Sequence, residues 1–171
     1  TFVAPREDFS HTSMEWSSAL GALVSRRTGG GVAFRAALAV GELRLLLLEG
    51  TGSDRIAAEY ELAGHTVDQA YSWLQQAIED FTETPLAAGL VRPPHKIPQH
   101  RVGGGQLFSS DPGETFEEWA RWFDNSAGVL WDIQEVTAHA SPVRCWPHHF
   151  DIATLVQLEP GNNPESGASI G

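Results

Sequence analysis

The residue types best suited to chemistry lie together near the end of the chain, in the stretch Trp146-Pro147-His148-His149-Phe150-Asp151. Imidazole nitrogens and carboxylate oxygens are common ligands of divalent metals. In an extended strand, residues two apart point to the same side. His149 and Asp151 could therefore share one metal ion with a distant His100 or His139. The candidate metal ligands are His149 and Asp151, and the candidate ligand-binding residues are Trp146, His148, His149, Asp151 and His100.

A second interpretation of this stretch needs no metal, and it is the favoured one. Adjacent histidines without a recognised metal spacing are more often hydrogen-bonding residues that fix the start of a strand. The sequence has neither an HExxH motif nor a ladder of regularly spaced histidines. The sequence therefore leaves the cofactor unknown, with a divalent metal as one hypothesis, and it does not decide whether the protein is an enzyme.

Two other patterns only partly match catalytic or phosphate-binding motifs. The run from Gly167 to Gly171 matches the GxSxG pattern around Ser169, but a nucleophile elbow is followed by a helix and by the acid and histidine of a triad. The glycines at 50, 52 and 103–105 lack the spacing and the GK[ST] ending of phosphate-binding loops. Neither pattern predicts a site.

Acidic and aromatic side chains on the predicted helices are interpreted as structural. The carboxylates Asp68, Glu79, Asp80, Glu83, Glu114, Glu117, Glu118 and Asp124 lie opposite an apolar stripe or in a first turn, where solvated or helix-start charges are typical. Trp119 belongs to the core stripe of its helix. Trp122 lies off that stripe, so it could cover a loop or meet a partner.

The segment from Pro85 to Ser110 is too long and too rich in proline and glycine to be an ordinary connection. It carries the only local excess of basic residues, namely Arg92, His95, Lys96, His100 and Arg101. We expect it to pack across the body beside the turn from His148 to Asp151, with His95 or His100 within reach. The alternative is a mobile surface arm.

Elements in the first part of the chain are predicted from hydrophobic periodicity. A capping-box spacing at Thr12 and an i, i+3, i+4 pattern predict a helix over 13–27. Period-2 alternation predicts strands over 32–40 and 56–62, and a two-residue turn at Gly41-Glu42 predicts that 43–49 is the return strand of a hairpin. Three consecutive strands indicate an antiparallel meander.

The second part of the chain begins with the clearest helical pattern, over 67–81, which starts at a second capping box, Thr66 and Gln69. We expect this helix to pack on one face of the meander. After the long loop, a helix is predicted from Asp111 to about His139, and strands over 143–146 and 150–158. The order α-β-β-β-α-loop-α-β-β predicts an α+β fold with a mainly antiparallel sheet and about three helices.

Length and composition limit the classes of function. The 171 residues are most simply one domain, residues 1–171, and 42% hydrophobic residues are enough for a packed core. The net charge of −11 argues against binding to nucleic acid. No run approaches the roughly 20 apolar residues that span a bilayer. One cysteine, Cys145, and no CxxC pair suggest a cytoplasmic protein.

The segment 141–153 resembles a bacterial family of uncharacterised domains, which carry a Trp-Pro-His-His-Phe-Asp-like stretch after a long Trp-containing helix. The resemblance implies no activity, and it implies a further C-terminal region beyond Gly171. We therefore expect a small-ligand or protein-binding module whose surface joins the His148 to Asp151 turn and the long loop. The alternative is a metal-dependent hydrolase that uses this turn. The sequence determines neither the ligand nor the oligomeric state.

Overall fold

The computed structural model describes residues 6, 10–28, 31–50, 54–92, 98–109, 111, 113–146, 151–157 and 167–171. In these ranges a 3-10 turn at Ser10–Thr12 precedes eight strands and two α-helices. The strands are β1 Met14–Ser17, β2 Ala22–Ser25, β3 Phe34–Ala39, β4 Arg44–Glu49, β5 Ile56–Glu61, β6 Arg144–Trp146, β7 Asp151–Gln157 and β8 Gly167–Ile170. The helices are α1 Val67–Thr82 and α2 Gly113–Val136.

The strands form one antiparallel sheet in the order β5-β4-β3-β2-β1-β6-β7-β8. Strands β1 to β5 make a meander, and β6 to β8 make a second one that joins it along β1. The described pairing of β1 with β6 consists of Met14 opposite Cys145. The two helices, with the long loop between them, connect β5 to β6. The predicted α+β class with a mainly antiparallel sheet is confirmed.

One face of the sheet carries both helices. Because directly opposed residues of antiparallel strands share a face, a single row of large side chains crosses the meander. The row consists of Trp16, Leu23, Leu38, Leu45 and Tyr60. Met14, Cys145 and Ile152 continue this face into the second meander. A continuous apolar surface is thus available for helix packing.

Each helix covers its own part of this face. Ala77 and Ile78 of α1 pack with Phe34 and Leu47, which confirms that this helix lies on the meander. Phe123, Ala127 and Leu130 of α2 pack with Trp16, Leu23, Cys145 and Ile152. Helix α2 therefore lies over the junction between the two meanders.

The opposite face is also apolar, and it is lined by small residues. Ala22, Val24, Ala37, Ala39, Leu46 and Leu48 form a buried cluster there. Asp54, just before β5, lies 3.4 Å from the Ser17 hydroxyl at the end of β1 and 3.2 Å from the Arg35 guanidinium on β3. Because β1 and β5 are separated by three strands, this contact requires the meander to curl around the small-residue face.

The helix predicted over 13–27 is wrong, because this segment forms the hairpin of β1 and β2. Ser17 pairs with Ala22, and the turn between them contains Gly21 at φ 55°. Ala22, Leu23 and Val24 are all buried, since β2 lies inside the sheet with β1 and β3 on its two sides. A strand buried on both faces does not alternate, and its apolar residues happened to match a helical period.

Three smaller predictions also need correction. The turn between β3 and β4 spans the four residues from Val40 to Leu43, with Ala39 opposite Arg44, and is not a two-residue turn at Gly41-Glu42. Helix α2 ends at Val136, and His139 adopts a left-handed φ of 64°. Gly167–Ile170 is a strand paired with β7, which the sequence did not predict. Two helices rather than three are therefore found in the described ranges, and the element order begins with five strands.

Other local predictions are confirmed. The capping box of α1 makes both of its hydrogen bonds, Gln69 N–H to Thr66 Oγ1 at 3.2 Å and Thr66 N–H to Gln69 Oε1 at 2.8 Å. The Asp111 carboxylate accepts a hydrogen bond from the Gly113 N–H at 3.1 Å at the start of α2. In the part of the chain that the structure describes, no helix combines the length and the apolar character that a membrane span requires.

Candidate functional site

The predicted site stretch begins and ends on the β6–β7 hairpin. Trp146 and Asp151 are directly opposed across the two strands, with Trp146 half-buried and Asp151 exposed. Both lie on the sheet face opposite the helices, because the neighbouring Cys145 and Ile152 face α2. The structure thus brings two of the candidate ligand-binding residues together, at the base of the connection 147–150.

His148 and His149 fall outside the described residues, so the proposed metal ligation by His149 and Asp151 stays a prediction. Among the residues that the structure does describe, no group of three or more His, Cys, Asp or Glu side chains is placed to hold a metal ion. The sequence allows His139 as a distant ligand, but its carbonyl lies near the Gln157 N–H, at the far end of β7. At about 3.3 Å per residue, that point is about 20 Å from Asp151, so His139 does not belong to this site.

The long loop lies along α1 in its described parts. Leu86 N–H donates to Glu79 Oε1 at 2.9 Å, and Arg92 forms an ion pair with Asp68 at 2.6 Å near the start of the helix. Phe108 then forms a bridge with Ala63, just after β5. These contacts hold the described parts of the loop on the β5 side of the sheet. They do not show the expected crossing of the loop towards the His148 to Asp151 turn.

The position of the histidines in the loop follows from the path of the loop along α1. The Nδ1 of His100 accepts a hydrogen bond from the Val102 N–H at 3.2 Å, within the loop itself. His100 therefore lies with the loop, while Trp146 and Asp151 lie on the other side of β1 in the strand order. His95 falls outside the described residues, and its approach to the turn stays a prediction.

A small cleft opens where β1 and β6 separate beyond their single pair. It has a volume of about 170 Å³ and is lined by Glu15, Trp16, Trp131, Gln134, Pro142, Val143 and Arg144. Glu15 and Arg144 form an ion pair across the two strands. Ligand pockets are typically about 300–1,000 Å³, so this cleft is small for a cofactor or an extended substrate.

Cys145 is buried beside this cleft and is chemically quiet. Its side chain is fully enclosed between Met14, Ile152 and α2. Burial, with a smaller effect of the Asp151 charge, raises the pKa of the thiol to about 12. Because the thiolate is the reactive form, Cys145 is not a candidate nucleophile.

Asp124 of α2 positions the β1–β2 hairpin. It accepts a hydrogen bond from the Trp16 indole N–H at 2.8 Å, and the Trp16 ring stacks on Phe123 with centroids 5.4 Å apart. Hydrogen bonds from Ser18 and Trp16 lower the pKa of the Asp124 carboxyl. This carboxylate therefore has a structural role, as the sequence suggested for the acidic residues of the helices.

A second surface feature is an aromatic groove on the exposed side of α2. It has a volume of about 540 Å³ and is lined by Thr115, Phe116, Glu118, Trp119 and Trp122. We call these five residues the tryptophan groove. Trp119 is 40% exposed and Trp122 is 50% exposed, although a single protein surface rarely leaves two neighbouring indoles in water.

The rings of the tryptophan groove are held in place by the core beneath them. Trp119 and Trp122 contact the buried Phe123 ring with centroids 6.1 and 5.3 Å apart, and Trp119 also contacts Phe116 at 6.3 Å. Edge-to-face and tilted contacts of this kind fix aromatic side chains. The groove is thus preorganised for a partner, which reduces the entropy lost on binding.

Sequence reasoning found only half of the groove. Trp122 was singled out because it lies off the apolar stripe, and that signal is correct. The sequence places Trp119 in the core stripe, whereas in the structure this residue is 40% exposed because Phe116 and Phe123 occupy the sheet-facing positions around it. The sequence signal for the exposure of both indoles is a pair of tryptophans three residues apart beside a core stripe that is already complete.

Comparisons with known proteins do not assign the chain. No family model, no curated protein and no solved structure matches it. The resemblance of residues 141–153 to a family of uncharacterised domains therefore stays a prediction.

Proposed function

We propose that this protein is a protein-binding module and that the tryptophan groove of α2 is its binding surface. The observation that carries the proposal is the pair of half-exposed indoles, Trp119 and Trp122, fixed on Phe123. Tryptophan is among the residues that contribute most to binding at protein interfaces. A surface groove with rigid aromatic walls suits an inserted side chain of a partner.

The geometry favours a protein partner over a small ligand. The tryptophan groove has a volume of about 540 Å³, which is within the range of small-molecule pockets, but it lies open on the exposed side of a 24-residue helix. A long exposed helix offers a partner an extended surface around the groove. An open site on a helix is typical of macromolecular recognition, whereas a small-molecule pocket encloses most of its ligand.

The test is selection of binders from a displayed library of random peptides, followed by affinity measurement. We expect selected peptides to bind the wild-type chain and to lose at least about tenfold in affinity for Trp122→Ala. The matched control is Val91→Ala, which removes an exposed apolar side chain from the part of the loop that lies along α1. Peptides that bind Trp122→Ala as well as the wild type would contradict the proposal.

We propose a metal-dependent hydrolase as the second candidate. Its support is the pairing of Trp146 with Asp151, which places the Asp151 carboxylate at the base of the short connection that contains His148 and His149. Elemental analysis of protein purified without a histidine tag is the test. The proposal requires near-stoichiometric zinc, manganese or iron that is lost in His149→Ala and retained in His139→Ala. Metal-free, folded protein would exclude it.

A further inference from the structure

The outward face of α2 carries a second apolar stripe that continues from the tryptophan groove to the end of the helix. Its positions are separated alternately by three and four residues, and five of the six are apolar: Trp119, Trp122, Ser126, Val129, Ile133 and Val136. We call this stripe the α2 seam. A 3-4 spacing is the heptad pattern by which one helix packs along another.

The seam borders the face that α2 turns to the sheet and shares Ile133 with it. The sheet-facing residues are Phe123, Ala127 and Leu130, which are buried in the core. Along the seam, Val129 is 60% exposed and Val136 is 86% exposed, in addition to the two half-exposed indoles. Ile133 is partly buried, because it also touches the core. The helix is thus apolar on two sides, and the fold uses one of them.

The exposed flank of the seam is acidic. With Trp119 and Trp122 taken as the a and d positions of a heptad, the outward g positions are Glu118, Asn125 and Asp132, all of which are exposed. The other flank consists of the buried Phe123 and Leu130. Over the whole of α2 there are six acidic residues and one basic residue, Arg121. Charges at such flanking positions select partners by complementarity.

We infer that the partner of the α2 seam is a basic amphipathic helix, which lays its apolar side on the seam and its Lys or Arg side chains against Glu118 and Asp132. This inference depends on the proposed protein-binding function and specifies the partner. A second copy of this chain is disfavoured by charge. Two copies of the seam would bring acidic flanks together, in a protein with a net charge of −11.

The probes for the test are two synthetic peptides about three heptads long, with leucine at the a and d positions of both. One peptide has lysine at the flanking positions, and the other has glutamate. We expect the lysine peptide to bind the wild-type chain at least about tenfold more tightly at low ionic strength, and this difference to shrink as salt is added. Fluorescence of the tryptophans on α2 or calorimetry measures both affinities.

Charge reversal provides the decisive variant. Glu118→Lys combined with Asp132→Lys should invert the preference, so that the glutamate peptide binds more tightly. Glu135→Lys makes the same change of charge per site away from the flank of the seam, and it should preserve the preference for lysine. An unchanged preference in the doubly reversed variant overturns the inference.

A seam substitution separates apolar contact from charge alone. Val129→Asn replaces an exposed side chain that does not belong to the core, so the chain should fold as the wild type does, as circular dichroism would show. It should weaken the lysine peptide by about threefold to tenfold. Equal affinity for Val129→Asn and the wild type would mean that the peptide binds by charge elsewhere, and it would contradict binding at the α2 seam.

The outcomes distinguish this inference from the proposed function. If library peptides depend on Trp122 but neither designed peptide binds, the basic-helix partner is wrong and the protein-binding function stands. If no peptide of either kind depends on Trp122, both are wrong. A dimer of the chain at about 100 μM that disappears in Trp122→Ala, measured by sedimentation, would overturn the basic partner in favour of a second copy.

Discussion

At the scale of single residues, the contact between Trp16 and Asp124 joins the hairpin of β1 and β2 to α2. The indole N–H donates to the carboxylate at 2.8 Å, while the indole ring stacks on Phe123. A hydrogen bond to a charged acceptor stabilises its ionised form, which accounts for the lowered pKa of Asp124. The contact therefore links stability to pH.

The sign of this link follows from the direction of the pKa shift. The pKa of Asp124 is lower in the folded state than in the unfolded chain, so its contribution to the free energy of unfolding is present above about pH 4 and is lost as the pH falls through the folded value. We expect the free energy of unfolding to fall less for Asp124→Asn than for the wild type when the pH is lowered from 5 to about 3–4. Urea unfolding at a series of pH values measures it. Asp132→Asn, an exposed change on the same helix, is the control and should keep the wild-type dependence.

Cys145 permits a direct test of burial, because it is the only cysteine of the chain. Its pKa of about 12 leaves almost no thiolate at pH 8, and the enclosed sulfur is out of reach of reagents. We expect a chromogenic disulfide reagent to react with the native protein only at the rate of unfolding, and at once in guanidinium. A rapid stoichiometric reaction under native conditions would show that the β6–β7 hairpin opens independently of the core.

At the scale of elements, α1 shows how local signals and packing agree. Its apolar residues follow the helical period, its first turn is closed by the capping box, and its buried side meets Phe34 and Leu47. The free energy of packing is concentrated at Ile78, which is buried, whereas Leu74 is only partly buried.

We therefore expect Ile78→Ala to lower the free energy of unfolding by about 2–5 kcal/mol, because it leaves a cavity between α1 and the sheet. Leu74→Ala should cost less than Ile78→Ala, since part of its side chain is already in water. Thr66→Ala should cost about 1 kcal/mol through loss of the cap. Chemical unfolding compares the three variants, and a greater loss for Leu74→Ala than for Ile78→Ala would show that α1 is rotated.

At the scale of the whole molecule, two meanders are joined by the pairing of β1 with β6 and by α2, which packs on both. The strands β3 and β4 share a register of six residue pairs, whereas the described register of β1 and β6 is the pair Met14 and Cys145. Phe123 of α2 packs with Trp16 of the first meander and Ile152 of the second. The junction is thus the part of the sheet with the fewest ladder hydrogen bonds and the greatest dependence on helix packing.

This arrangement predicts different opening behaviour for the two meanders. We expect backbone amides of β3 and β4 to exchange with solvent most slowly, and those of β6 and β7 to exchange faster. Phe123→Ala should lower the free energy of unfolding by about 3–5 kcal/mol and accelerate exchange in β6 and β7 first. Hydrogen exchange followed by mass spectrometry measures this, with Leu107→Ala as the control. Uniform acceleration over all strands would mean that the sheet opens as one unit.

The elements that could be predicted from the sequence are those whose hydrophobic pattern fits only one type of secondary structure. Helix α1 has a capping box and a single apolar side, β3 and β5 alternate in sequence, and β4 follows β3 after turn residues. The α+β class follows from them. The exposure of Trp122 could also be predicted, since this residue lies beside a complete core stripe.

The remaining features depend on tertiary contacts. Ala22, Leu23 and Val24 form a strand because β1 and β3 pair with its two edges and both of its faces are covered. A run of apolar residues alone does not indicate which strands will pair with it. The loop after α1 lies along that helix because Arg92 meets Asp68 and Phe108 meets Ala63, contacts between residues far apart in the chain. The exposure of Trp119 was likewise decided by packing, because Phe116 and Phe123 fill the space beneath it and leave its indole in water.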